Sequence, residues 1–80
     1  MGGSTQLRGD EAQLYEQYAQ RLERVVTSQV RSSRVVVEEA CANAWLILLR
    51  RQPARQTAWP WLKVVAIREA WRLDGLERRT

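Results

Sequence analysis

From Arg50 to the C-terminus, eight basic residues meet only three acidic ones, and Trp59, Trp61 and Trp71 are interleaved with them. That segment carries a net charge of +5, whereas residues 1–49 hold five basic and six acidic residues, a net −1. Guanidinium groups neutralise phosphates, and exposed indoles offer flat faces to unpaired bases. The combination points to nucleic acid, single strands in particular. Arg50, Arg51, Arg55, Lys63, Arg68 and Arg72 gather around one loop and one helix, which favours phosphate binding over a scattered solvated surface. Trp59 has the best claim to exposure beside the basic loop, where it would either contact a ligand or cover the end of the bundle, Trp61 is expected to face the core, and Trp71 lies on a separate stripe open to a further partner. Trp45 reads as core packing.

Catalytic readings lack their parts. The chain has no histidine, a single cysteine and no glycine-rich phosphate cradle, so nucleophilic, nucleotide-dependent and zinc chemistry have no residues to work with. Neither a cofactor nor a metal is expected. Glu38 and Glu39 are adjacent, about 100° apart on a helix, and do not form a paired acid–base site. They read as solvated charge near a helix start, or as a docking point for a partner's arginines. Cys41, between Ala40 and Ala42, reads as an inert core thiol.

These side chains must be positioned by a small scaffold. Eighty residues suffice for one domain that buries only about 60 % of its unfolded surface. No stretch approaches the roughly 20 apolar residues of a membrane span. Residues 1–9 lack the apolar core of a secretory signal and read as a flexible tail. A cytoplasmic domain over residues 10–80 is expected.

Three helical segments organise that domain. The first opens at Asp10, an N-cap with Gln13 three residues on. Its apolar face is Leu14, Tyr15, Tyr18, Leu22, Val25, Val26 and Val30, at three- and four-residue spacing. Ser32-Ser33 breaks the pattern and offers a cap for the second. There, Val35-Val36-Val37 is locally ambiguous, but Glu38 through Arg51 favours helix strongly. Val37, Ala40, Cys41, Ala44, Trp45, Leu48 and Leu49 form the core stripe. Leu46 and Ile47 lie off it, so this helix needs a second partner. Gln52–Gln56 reads as a loop around Pro53, and Thr57 as the N-cap of the third helix, with Pro60 tolerated in its first turn. Ala58, Trp61, Leu62, Val65, Ala66 and Leu73 form its core face, and Val64, Ile67 and Trp71 a second stripe. Asp74-Gly75 should end or kink it, leaving Leu76–Thr80 as a basic tail. The fold class is all-α, a compact three-helix bundle.

The order Leu14-Tyr15-Glu16-Gln17-Tyr18, then Glu38-Glu39-Ala40 leading to Ala44-Trp45, then a Pro-containing basic loop and Trp61-Leu62-Lys63-Val64-Val65-Ala66, resembles region two of bacterial RNA polymerase sigma factors. The likeness is to the extracytoplasmic-function type and covers about residues 12–79. It implies a domain that binds the β′ clamp helices of RNA polymerase and recognises the −10 promoter element, capturing bases flipped from the non-template strand. By position, polymerase binding would centre on Glu38, Glu39 and Asn43, with Leu46 and Ile47 as further contacts. The loop Gln52–Thr57 and the start of helix three would receive the flipped base. Arg68 and Arg72, with Trp71 between them, would lie along the promoter-facing helix. An anti-sigma factor is a further partner the resemblance allows.

The chain departs from that pattern at several positions. Val35 stands where the family often has an acid, Glu38-Glu39 replaces Gln-Glu, and Arg68 and Arg72 replace the Asn-x-x-x-Asp of the promoter helix, which leaves −10 sequence preference open. No segment resembles the region-four helix-turn-helix, so an excised domain and a reduced factor both fit. Two other readings stay open: a sigma-like protein-binding module without promoter recognition, and a small helix-turn-helix duplex binder. The second would need base-contacting polar side chains on an exposed recognition helix, and helix three is poorly supplied with them.

Overall fold

A computed structural model describes residues 8–79. The proposed flexible tail lies largely outside them, at residues 1–7. The described residues form three helices, α1 (Glu11–Gln29), α2 (Arg34–Arg51) and α3 (Ala58–Arg79), with a 3₁₀ turn, Arg55–Thr57, before α3. No strand occurs among the described residues, as the helical periodicity requires. None of the helices is long and apolar enough to cross a membrane.

Each helix meets the others through much of its expected stripe, but Val36 and Ala70 join the core, Ile67 packs against it rather than facing away, and Tyr15 is left exposed. Leu22 and Val26 of α1 are buried, with Val30 just past its end, as are Val36, Val37, Ala40, Cys41, Ala44 and Leu48 of α2. On α3 the buried stripe is Ala58, Leu62, Ala66 and Ala70, at strict four-residue intervals. Trp45, Trp59, Trp61, Val65, Ile67 and Leu73 pack against this cluster from its margins. The most extensive contact is between α2 and α3, where alanines on both helices permit close approach. The ambiguous valines prove helical. α2 begins at Arg34 because the Ser33 hydroxyl accepts the Val36 amide at 3.2 Å, which satisfies one of the orphan donors of the first turn.

Several expected boundaries fall elsewhere. Asp10 sits at the N-cap of α1, but its side chain makes no cap bond. Its carboxylate is drawn to Arg55, 45 positions along the chain, and Gln13 is exposed. Glu11 instead receives the backbone amides of Arg8 and Gly9, at 2.8 and 2.9 Å, so residues 8 and 9 are held rather than trailing. Thr57 does not cap α3: its hydroxyl donates back to the Ala54 carbonyl at 3.0 Å, and the 3₁₀ turn runs straight into the helix. Asp74-Gly75 does not end α3, which continues to Arg79. Its last turns are held to the α1–α2 corner by Ser32 donating to Asp74 at 2.5 Å and by Ser33 donating to Glu77. That long-range anchoring outweighs glycine's poor helix propensity of about 1 kcal/mol.

Candidate nucleic-acid and partner interfaces

α2 closes on a left-handed residue, Gln52, at φ 48°. Its amide donates to the Leu48 carbonyl at 2.8 Å, the usual way of satisfying a helix end, although glycine is the common choice there. What holds a glutamine in this conformation is a polar clasp. Arg55 grips Asp10 with two bonds of 2.7 Å and reaches Glu11 at 3.3 Å, the Gln52 side chain at 2.8 Å and the Pro53 carbonyl at 3.2 Å. Gln52 in turn donates to Glu11 at 3.0 Å. A paired fork of this kind is among the stronger polar contacts available to a protein. It joins the start of α1 to the α2–α3 connection.

Electrostatics of the clasp follow from these contacts. The Arg55 hydrogen bonds hold the Asp10 carboxyl below its ordinary range. Partial burial works against the charge of Glu11, yet the amides of Arg8 and of Glu11 itself, with Gln52, lower it too. Across the bundle, Asn43 donates to Glu69 at 3.1 Å and Arg72 to Glu69 at 2.9 Å, and Glu69 is likewise lowered, by Arg72 first. A carboxyl with a depressed native pKa contributes stability above its unfolded value and loses it as pH falls through the native one. The resistance of the bundle to urea is therefore expected to be level at neutral pH and to fall below about pH 4, with a smaller fall in Asp10→Asn. Equal urea midpoints at pH 6 and pH 3 would contradict this. Burial pushes the Cys41 thiol up to about 11, so it is a packing residue, not a nucleophile.

Between α2 and α3 lies an open cleft of about 610 Å³. Ile47, Pro53, Trp61 and Val65 supply apolar walls, Arg51 and Arg68 two cations, and Glu69 an acceptor. One turn past Arg68 stands Trp71, 61 % exposed, with Val64 exposed on the same outward ridge. An aromatic beside arginines at an apolar cleft can stack a base while the cations meet its phosphates. On the other side of α2, a second groove of about 340 Å³ runs between α1 and α2. Tyr15, Ala19, Trp45, Leu46 and Leu49 line it, with Glu23 and Glu38 at its edge. Tyr15 and Trp45 meet there at 5.1 Å between ring centroids. Leu46 is 55 % exposed and Tyr15 54 %.

No protein-family model, curated protein or solved structure matches this chain.

The residues singled out from the sequence divide between these surfaces. Glu38, exposed and joined to Arg34 at 3.0 Å, and Leu46 belong to the α1–α2 groove. Asn43 and Ile47 do not: one bridges to Glu69 and the other lines the α2–α3 cleft. Glu39 is exposed and its charge acts on Arg72. Of the basic set, Arg51 and Arg68 line the cleft, while Arg50 is exposed at the end of α2. Arg55 is committed to the clasp and Arg72 to Glu69. Trp59 is not the open indole its position suggests: it stacks on Tyr18 at 4.9 Å, with Arg21 at 4.5 Å and Lys63 at 5.5 Å from its ring. Trp61, Val65 and Glu69 recur every fourth residue, a spacing that could have marked the cleft wall in advance. Nothing in periodicity distinguishes Tyr15 from its buried stripe-mates.

Proposed function

We propose that this domain is a sigma-region-two-like module, without catalysis of its own, that docks on the β′ clamp helices of RNA polymerase and contacts the non-template strand of the −10 promoter element. The observation that carries this reading is the division of the exposed surface by α2. On its α1 side is an apolar groove with an acidic edge at Glu23 and Glu38. On its α3 side is the cleft with Arg51, Arg68 and Trp61, continued by Trp71. A protein partner and a polyanion can thus be held at once without competing, as transcription initiation demands. The residue order that resembles sigma region two supplies the identity of the two partners. Tyr15 and Trp45 join Glu38, Glu39 and Leu46 as the polymerase-facing set. Arg50, Arg51, Arg68 and Trp71 form the DNA-facing one.

A second reading, a protein-binding module without promoter contact, is favoured by one observation. Three of the expected DNA contacts are engaged within the fold: Trp59 by Tyr18, Arg55 by Asp10 and Arg72 by Glu69.

The test common to both is calorimetric titration of the domain with an isolated β′ clamp-helix fragment. Saturable binding is expected, with loss when Glu38 and Glu39 are both reversed to lysine, because like charges would then face a basic partner. A folded domain that shows no binding, or a reversal that keeps full affinity, removes the polymerase assignment.

A further inference from the structure

Arg55 is the least available of the described arginines of the basic segment. Its side chain is 20 % exposed, and all three of its nitrogens are engaged by groups of the protein itself. Its acceptors come from two places far apart in sequence: Asp10 and Glu11 at the start of α1, and Gln52 and Pro53 in the α2–α3 connection. Two of its contacts bear directly on the cleft. Pro53, whose carbonyl it holds at 3.2 Å, lines the cleft. Arg51, also lining it, immediately precedes Gln52, whose left-handed conformation the clasp sustains. Arg8 adds an outer contact, donating to the Gln52 carbonyl at 3.2 Å.

We propose that Arg55 is a positioning residue of the nucleic-acid face: through Asp10 it fixes the α2–α3 connection, and so the placement of Pro53 and Arg51 in the cleft, without itself touching phosphate. The nucleic-acid half of this inference rests on the function proposed above. The anchoring of the connection does not.

The sign of one substitution separates positioning from direct contact. Asp10→Asn removes a negative charge and loosens Arg55, which keeps its contacts to Glu11, Gln52 and Pro53. If Arg55 were a phosphate ligand held in reserve, that change would tighten binding to a polyanion. If Arg55 acts by holding the connection, the same change weakens binding. Arg55→Lys adds a second discrimination. It keeps the cation but not the planar fork that spans Asp10, so positioning is lost while general electrostatics is retained.

The experiment uses the full chain and two readouts: amide hydrogen exchange over residues 52–57, and binding of a fluorescent single-stranded oligodeoxynucleotide across a salt series. Thermal melts confirm that every variant is folded. Asp10→Asn, Arg55→Lys and Arg55→Ala are each expected to speed exchange in the connection. Each should weaken oligonucleotide binding about five-fold, the scale of one lost coupled pair, with the same salt slope in all three. The Asp10→Asn/Arg55→Ala double variant should bind no more weakly than Arg55→Ala alone. Unchanged or tighter binding by Asp10→Asn overturns the proposal. So does a fall of about 0.7 in the salt slope of Arg55→Ala that Asp10→Asn and Arg55→Lys do not share, the signature of one lost contact to single-stranded phosphate made by Arg55 itself. Should the wild-type chain fail to bind the oligonucleotide, the DNA half of the proposed function falls. The exchange readout then decides the anchor alone: unaltered exchange in Asp10→Asn overturns it, and faster exchange upholds it.

Discussion

Replacing Leu62 with alanine is expected to destabilise the bundle by about 3 kcal/mol, the cost of a buried leucine whose cavity the surroundings cannot refill. Leu62 is fully buried and stands between Ala58 and Ala66 on the core stripe of α3. These alanine neighbours have no side-chain length with which to close over the space. For 80 residues the total stability is roughly 4–12 kcal/mol, so this single change removes a large share of it. The thermal midpoint should fall by roughly 12–24 °C, read by circular dichroism. The exposed Leu46→Ala, by contrast, should stay within about 0.5 kcal/mol of wild type. A Leu62→Ala midpoint within a few degrees of wild type would mean that α3 is not packed through this stripe.

The second large effect concerns Trp71. Its removal to alanine should leave the melting curve almost unchanged, because its indole is largely in solvent. Binding to single-stranded DNA should nevertheless weaken by about ten-fold or more, since stacking of one base on an aromatic side chain is worth about 1–3 kcal/mol. Fluorescence anisotropy with a labelled oligonucleotide reads this directly, and Trp71→Phe should recover much of the loss. If Trp71→Ala binds as the wild type does, the outward ridge is not a stacking platform. The protein-binding reading, already favoured by the engagement of Trp59, then gains.

The helices were legible because their information is local and repeated. Spacing of Leu22, Val26 and Val30, or of Ala58, Leu62 and Ala66, states a buried face whatever packs on it. Ser33 as a cap was legible for the same reason, since its partner lies three residues away. What the sequence conceals is competition from distant groups. Asp10 has every attribute of an N-cap, but Arg55 offers its carboxylate a stronger pairing than a helix amide does. Gly75 reads as a stop until Ser32 and Ser33 are found holding Asp74 and Glu77. The candidate site divides along the same line. Arg51, Arg68 and Trp71 were recognisable as basic and aromatic residues on one segment, and they remain exposed. Arg55, Arg72 and Trp59 share that composition, yet each is engaged by a neighbour the pattern cannot announce. Asn43 and Ile47 sit on α2 with Glu38 and Leu46, but only the rotation of α2 against α3 shows that they belong to the opposite surface.

The alanines that line the inner faces of α2 and α3 set more than stability. With Ala40 and Ala44 on one helix and Ala66 and Ala70 on the other all buried, the separation of the two helix axes is fixed from inside. Interiors packed to this density do not absorb added volume without moving backbone. The aperture of the cleft that holds Arg51, Arg68 and Trp61 is therefore gauged by residues that never meet a ligand. A methyl group gained at Ala44 or Ala66 would act as a shim, widening the mouth at Ile47 and Val65. The size of what this surface admits is thus inherited from the smallest side chains in the protein.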